Sequence, residues 1–192
     1  AGNLLGREQS GHIHAVGYDL YSQLLSDAVD HIRSQDQPEN DGYTKNQPEV
    51  KVNLPLSAFI PPDYVSDIST RLGFYQRMTR IHRPEDIDHI REEVIDRFGP
   101  IPESFDNLLY IVNIRSKCND LGVSSIDYSG SSITIQLREP IGGAQLALRK
   151  FIGNGIDIGY SQVRLPVSRN WMANLLGTFE KILDFKLKMP QY

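Results

Sequence analysis

The sequence has little of what marks disulfide-stabilised, secreted or membrane-spanning proteins. Its 192 residues include a single cysteine, which leaves no disulfide framework within the chain and fits a reducing compartment. No apolar run approaches the roughly 18 residues that a membrane-spanning helix needs. The first residues also lack the basic and apolar regions of a secretion signal. We therefore expect a soluble, cytoplasmic protein with no membrane partner.

The sequence also lacks a basic excess and the common catalytic motifs. Its 24 acidic and 20 basic residues give a net charge of −4, whereas chains that bind duplex DNA by themselves usually carry a basic excess, because phosphate contacts dominate that affinity. No nucleotide-binding loop, zinc-protease motif, CxxC pair or nucleophile elbow is present. We therefore expect no catalytic residue, no metal site and no cofactor in this chain.

Patterns along the chain predict three parts. Residues 1–33 contain a helical apolar stripe, and we interpret them as a helical arm. Residues 34–48 are polar, contain prolines and glycine, and are typical of a linker. Residues 49–192 form the main predicted domain.

Within that domain, the periodicity of apolar residues changes from helical to strand-like and back. Residues 50–54 alternate as a strand, and three helices follow, each beginning at prolines. After residue 122 the pattern predicts a hairpin around Ser129 and Gly130, a short helix, a further strand and a final helix. The helices are predicted over residues 61–81, 84–98, 102–121, 144–151 and 169–187, and the later strands over residues 123–129, 131–137 and 156–165. The fold class is therefore α+β, with a helical layer packed on a small mixed or antiparallel sheet.

Several residues that could suggest chemistry have simpler structural interpretations. Cys118 lies within a helical apolar pattern, which favours a buried structural thiol over a nucleophile. His12 and His14 have no further ligand at metal-binding spacing, so we interpret them as polar residues at a helix entrance. Arg71 and Tyr75 lie one turn apart. We expect Tyr75 to point inward and Arg71 to bind a neighbouring carboxylate.

Negative charge is concentrated in residues 84–107, which contain eight acidic residues and two arginines. On a helix, Glu92 and Glu93 lie four and three residues before Asp96, so these carboxylates share one face. That face is opposite the apolar positions, among which we count Ile95. Catalysis by a carboxylate pair requires an enclosing pocket that separates the two pKa values, and a surface helix provides none. A solvated face and a docking surface for a basic partner remain as interpretations.

Four stretches of the sequence, in their order, resemble the C-terminal end of the bacterial transcription-repair coupling factors. They are AGNLLGREQSG, GYDLYSQLLSDAV, ISTRLGFYQRM and IDRFGPIPE. The resemblance covers residues 1–110 well. It implies a multidomain parent that translocates on double-stranded DNA with ATP, removes stalled RNA polymerase and recruits UvrA for nucleotide excision repair. ATP and Mg²⁺ would then bind in a part of the parent outside this chain, and DNA would be contacted only through the parent.

The same resemblance implies roles for individual segments. Residues 1–33 resemble the tail of the translocation motif shared with RecG helicase. Gln9 matches the Gln of that motif, whereas the Arg of the motif would precede Ala1. Without that Arg, this segment alone would not couple ATP hydrolysis to movement. Residues 49–192 resemble the regulatory domain that folds onto a UvrB-like N-terminal module and masks its UvrA-binding surface.

In the family, acidic residues on the helix before the RFG turn face basic residues of that module. Glu93 and Asp96 occupy those positions here, with Glu92 beside them. The resemblance therefore favours the docking interpretation of the acidic segment, in an autoinhibitory contact within the parent protein.

The alternative is a direct DNA-binding element of the translocase. It depends on Arg7 and Gln9 and on a mildly basic C-terminal segment, and it would give an affinity for DNA that falls steeply with salt. The basic residues of that segment are Arg164, Arg169, Lys181, Lys186 and Lys188, against Glu180 and Asp184.

Overall fold

A computed structural model describes residues 50–81, 83–153 and 155–188. The predicted arm, the linker, and with them Arg7, Gln9, His12 and His14 lie outside these residues. The chain divides into two compact units, of which the described parts are residues 55–81 and 83–112 for the first, and residues 50–54, 113–153 and 155–188 for the second.

The first unit contains the predicted succession of helices. Helix α1 spans Ile68–Met78 and α2 spans Pro84–Phe98. Helix α3 spans Glu103–Leu121, and the boundary between the units falls within it. The predicted start and end of α2 are confirmed: proline occupies its first position, and Gly99 ends it at a φ of 86°.

The predicted start of α1 is wrong. Pro61 does not open a helix, since its carbonyl oxygen accepts hydrogen bonds from the backbone N–H of Tyr64 and Val65 in a separate turn. The helix begins later because the Asp67 carboxylate accepts the backbone N–H of Thr70 at 2.7 Å and caps it.

Ile95, which we expected to face inward, faces solvent instead, and so does Ile68, which the helical periodicity of apolar residues also places on the inner side of its helix. Ile68 is 71% exposed because it opens α1, where the first turn lies outside the packed interior. Ile95 is 48% exposed because it lies about 100° around α2 from Val94, which is fully buried. The two exposed side chains lie on different helices of the unit, Ile68 on α1 and Ile95 on α2.

The interior of the first unit is built around aromatic side chains. The ring of Phe74 contacts that of Phe105 edge-on, with ring centroids 6.2 Å apart. Tyr75 is buried as predicted, and its hydroxyl oxygen accepts the backbone N–H of Ile60 at 2.8 Å. Arg71 donates to the backbone carbonyls of Val65 and Ser66, at 2.6 and 2.9 Å. The prediction that Arg71 binds a carboxylate is therefore wrong, while its structural role is confirmed.

The described part of the second unit contains a five-stranded sheet and two further helices, which confirms the α+β class and the small mixed sheet. The strand order is β1-β2-β3-β5-β4, with β1 and β2 parallel and the other pairs antiparallel. The strands are β1 (Lys51–Asn53), β2 (Val123–Tyr128), β3 (Ser132–Leu137), β4 (Asp157–Ile158) and β5 (Gln162–Pro166); the helices are α4 (Gln145–Ile152) and α5 (Trp171–Lys188).

The predicted strand over residues 156–165 is in fact the hairpin of β4 and β5. The backbone N–H of Gly159 donates to the Gln162 carbonyl at 2.8 Å and closes the turn. The apolar alternation continues on both sides of this turn, so the pattern alone does not reveal it.

One face of the sheet is apolar. Ile126, Ile135 and Val163 are neighbours in the register of three adjacent strands, and all three are fully buried. Cys118 is also fully buried in this unit, and burial raises the pKa of its thiol to about 12. The predicted structural role of the cysteine is therefore confirmed.

Candidate protein-interaction surface on helix α2

Helix α2 has a buried face and an acidic face. Its inner side chains are Ile87, Ile90 and Val94, which are 5% exposed or less. A spacing of three or four residues brings the exposed acidic residues onto the opposite side, on successive turns. We call these residues the acidic face: Glu85, Asp88, Glu92 and Asp96.

The acidic face is not neutralised within the part of the chain that the structure describes. None of its carboxylates forms an ion pair there. Asp88, Glu92 and Asp96 follow one another at intervals of four residues, so like charges are adjacent along the helix. Asp96 also lies in the last turn, where the helix dipole disfavours negative charge. The face therefore costs the isolated domain some stability, which a basic partner would recover.

Glu93 differs from its neighbours, because its carboxylate is already bound. Arg77 of α1 donates to Oε2 at 2.6 Å, and Arg97 of α2 donates to Oε1 at 2.9 Å. Partial burial tends to raise the pKa of the Glu93 carboxyl, but the hydrogen bonds and charges of Arg77 and Arg97 outweigh it, so the pKa is lowered. Glu93 is thus ionised in a local ion-pair cluster, whereas Glu92 and Asp96 face solvent.

The arginines of this cluster also lie over aromatic rings. The guanidinium carbons of Arg77 and Arg97 lie 5.5 and 5.8 Å from the ring centroid of Phe74. Arg97 lies in addition 5.0 Å from the centroid of Phe98. Cation–π attraction therefore helps to position both guanidinium groups.

Both arginines of the acidic segment are engaged with acidic residues of the same unit. Arg97 binds Glu93, and Arg91 of α2 contacts Asp106 of α3 at 2.6 Å. Their positive charges are therefore used on the flanks of α2 and do not offset the acidic face between those flanks.

The lysines expected to contact DNA in the alternative reading have structural partners. Lys181 Nζ donates to the carbonyl of Ile152 at 3.0 Å, and Lys186 Nζ donates to the carbonyl of Leu121 at 3.1 Å. These carbonyls end α4 and α3, where lysine interacts favourably with the helix dipole. Sequence reasoning missed this role, because the carbonyl acceptors lie 29 and 65 residues away along the chain.

Of the other basic residues of that segment, one forms an ion pair and two are exposed to solvent. Lys188 binds Asp184 at 2.8 Å within α5. Arg164 and Arg169 are exposed.

The described residues contain neither a metal-binding cluster nor a membrane-spanning helix. Among them, no group of three or more His, Cys, Asp or Glu side chains lies close enough together to hold a metal ion. The helices over the same residues are too short or too polar to cross a bilayer.

Comparison with known proteins places these features in a family. Residues 54–142 match the TRCF domain family. A transcription-repair-coupling factor of Staphylococcus haemolyticus is 33% identical over 184 residues, which cover 91% of this chain and 15% of the relative. The factor of Escherichia coli is 34% identical over 72% of this chain and 12% of its own length, and that of Myxococcus xanthus is 38% identical over 71% and 11%. The chain thus spans less than a sixth of these relatives.

A solved structure has the same fold. The crystal structure of the C-terminal domain of transcription-repair coupling factor superposes with a TM-score of 0.63 and 23% sequence identity. The similarity covers 73% of this chain and 95% of that structure.

Proposed function

The chain belongs to the transcription-repair coupling factor family, and we propose that it acts in such a factor as a regulatory protein-interaction domain. The observation that carries this proposal is the acidic face of α2, which has no ion pair among the described residues and lies opposite the buried Ile90 and Val94. A face of like charges is an unfavourable arrangement for an isolated helix. It is a favourable one for recognising a basic protein surface, since complementary charge increases association rate and specificity.

We infer that the partner is the UvrB-like N-terminal module of the same protein. In the resemblance described above, acidic residues at the positions of Glu93 and Asp96 face basic residues of that module. Docking would cover the surface to which UvrA binds and would hold the factor in an autoinhibited state until it engages RNA polymerase.

A contact made by exposed charges suits such a switch. Each exposed ion pair contributes at most about 1 kcal/mol, so the contact remains reversible. Within one chain, however, the effective concentration of the two surfaces reaches about the millimolar range, which permits docking by weak contacts. Competition by another protein would then release the domain.

The remaining activities are proposed for the parent protein and not for this chain. ATP hydrolysis with Mg²⁺, movement along DNA, removal of stalled polymerase and recruitment of UvrA would depend on parts outside the chain. We place the parent in the bacterial cytoplasm, where its DNA and polymerase partners are found.

The proposal is tested by measuring the binding of this chain to the UvrB-like module, with variants in the acidic face. Glu92→Lys combined with Asp96→Lys reverses two exposed charges without breaking an ion pair in the described residues. We expect the double variant to fold and to lose measurable binding. A wild-type chain that binds duplex DNA but not the module would overturn the proposal and favour the alternative function.

A further inference from the structure

Glu93 is held in a different state from the other residues expected to contact the partner. Both of its carboxylate oxygens accept from arginines of this domain, Oε2 from Arg77 and Oε1 from Arg97. Glu92 and Asp96 have no ion-pair partner among the residues that the structure describes. A basic partner would therefore meet two available carboxylates and one that is already occupied.

The cluster around Glu93 also carries the opposite net charge from the acidic face beside it. One carboxylate is bound by two guanidinium groups, which leaves an excess of one positive charge on this flank of α2. Like charges across an interface oppose association. This flank would therefore repel the basic partner that the acidic face attracts.

We propose that Arg77 and Arg97 compete with the docking partner for Glu93, so that docking exchanges the ion pairs of this carboxylate. The inference rests on the proposed function and adds a means of regulation to the same surface. Because internal ion pairs must break as the new ones form, the two arginines weaken docking and favour release.

The geometry permits this exchange. The Glu93 side chain is 31% exposed, so a partner's guanidinium or ammonium group can reach it. The side chains of Arg77 and Arg97 are 48% and 47% exposed, which leaves them room to move away. Phe74 lies beneath both guanidinium groups and would continue to contact them after the carboxylate is lost.

The test compares arginine variants inside and outside the cluster. Arg77→Gln and Arg97→Gln each remove one competitor of the partner for Glu93. Arg80→Gln is the matched control, because Arg80 is exposed in the turn after α1 and has no ion pair in the described part of the chain. All three variants change the net charge equally.

The first probe is a hexa-arginine peptide, titrated into the 192-residue chain while the backbone amide signals of α2 are followed by NMR. We expect Arg77→Gln and Arg97→Gln to lower the Kd of the peptide by about twofold to fivefold, the factor that one exposed ion pair contributes. Arg80→Gln should change the Kd clearly less. Equal effects of all three variants, unchanged binding in the cluster variants, or no response of α2 to the peptide would each overturn the inference.

The second probe is the UvrB-like N-terminal module, titrated with the same chains. Tighter binding by the cluster variants alone supports both the inference and the proposed function. If the peptide gives the expected order of affinities but the module binds no variant, the exchange at Glu93 stands and the proposed docking partner is wrong.

Discussion

The hydroxyl group of Tyr64 donates a hydrogen bond of 2.7 Å to the carbonyl oxygen of Gly99. Gly99 ends α2, and Tyr64 lies in the turn before α1, so this bond fixes the end of the acidic helix to a distant part of the same unit. The Tyr64 ring also contacts those of Phe98 and Phe105, with centroids 5.9 and 6.2 Å apart. Asp96 is therefore presented from a well-packed end of α2.

We predict that Tyr64→Phe lowers the free energy of unfolding by about 1 kcal/mol, because the ring contacts remain and only the hydrogen bond is lost. Urea denaturation of the chain measures this change. Tyr160→Phe is the control, since Tyr160 is 68% exposed and should respond within about 0.5 kcal/mol. A Tyr64→Phe variant as stable as the wild type would show that the bond does not anchor α2.

Gly99 and Gly73 predict opposite effects of the same substitution. At Gly99 a φ of 86° and a ψ of −159° place the backbone in a region open almost only to glycine, so Gly99→Ala should destabilise by about 1–3 kcal/mol. Gly73 lies inside α1 and a Cβ there would meet nothing within 4 Å, so Gly73→Ala should stabilise by about 0.5–1 kcal/mol. Thermal unfolding compares the two, and the account fails if both variants shift Tm in the same direction.

Asp96 should be unfavourable for stability and favourable for docking. We predict that Asp96→Asn raises the free energy of unfolding by about 0.3–1 kcal/mol, because it removes repulsion from Glu92 and an unfavourable interaction with the helix dipole. The same variant should bind the UvrB-like module more weakly. Denaturation and calorimetry test the two effects separately. A loss of stability in this variant would contradict the view that the acidic face is strained in the undocked domain.

Lys186 tests whether the C-terminal basic residues serve the fold or bind DNA. Lys186→Met keeps the aliphatic stem but removes the hydrogen bond to Leu121, so we predict a loss of about 0.5–1.5 kcal/mol in unfolding free energy. Lys150→Met is the control, because Lys150 is exposed on α4 and has no ion pair in the described residues. Equal stability of the two variants, with a reduced affinity for duplex DNA in Lys186→Met, would favour the DNA-binding alternative.

The carboxyl group of Asp67 should make the free energy of unfolding sensitive to acid. Hydrogen bonds from the Ser69 hydroxyl, then the Thr70 hydroxyl and backbone N–H, lower the pKa of the Asp67 carboxyl from 3.8 to about 2. Since this pKa is lower in the folded state, the stabilisation is complete above the unfolded pKa and is lost as the pH falls through the folded one. We therefore expect stability to fall from about pH 5 to pH 2, and to fall less in Asp67→Asn. Parallel pH profiles of the two proteins, measured by urea denaturation, would contradict this assignment.

The limits of α2 were predictable from local chemistry. Pro84 fits only the first turn of a helix and Gly99 adopts a conformation that ends one, so the start and the end are each set by a single residue. The start of α1 was not predictable in this way, because Pro61 and Asp67 are both plausible N-terminal signals. The structure shows that the second is used, because the Asp67 carboxylate caps the backbone N–H of Thr70.

The candidate surface was predictable in position but not in detail. Helical spacing puts Glu92, Glu93 and Asp96 on neighbouring parts of α2. It does not reveal that Arg77, 16 residues before Glu93, binds that carboxylate across the helix pair. The sequence therefore predicts the acidic face, while the structure shows that Glu93 alone of these three carboxylates has an ion-pair partner among the described residues.

The most direct test of the account is calorimetric titration of the 192-residue chain into the UvrB-like module of the same protein. Wild-type binding that is lost when Glu92 and Asp96 are both replaced by lysine, in a variant that unfolds cooperatively near the wild-type Tm, is the predicted result. Unchanged binding by that variant would contradict docking through the acidic face of α2.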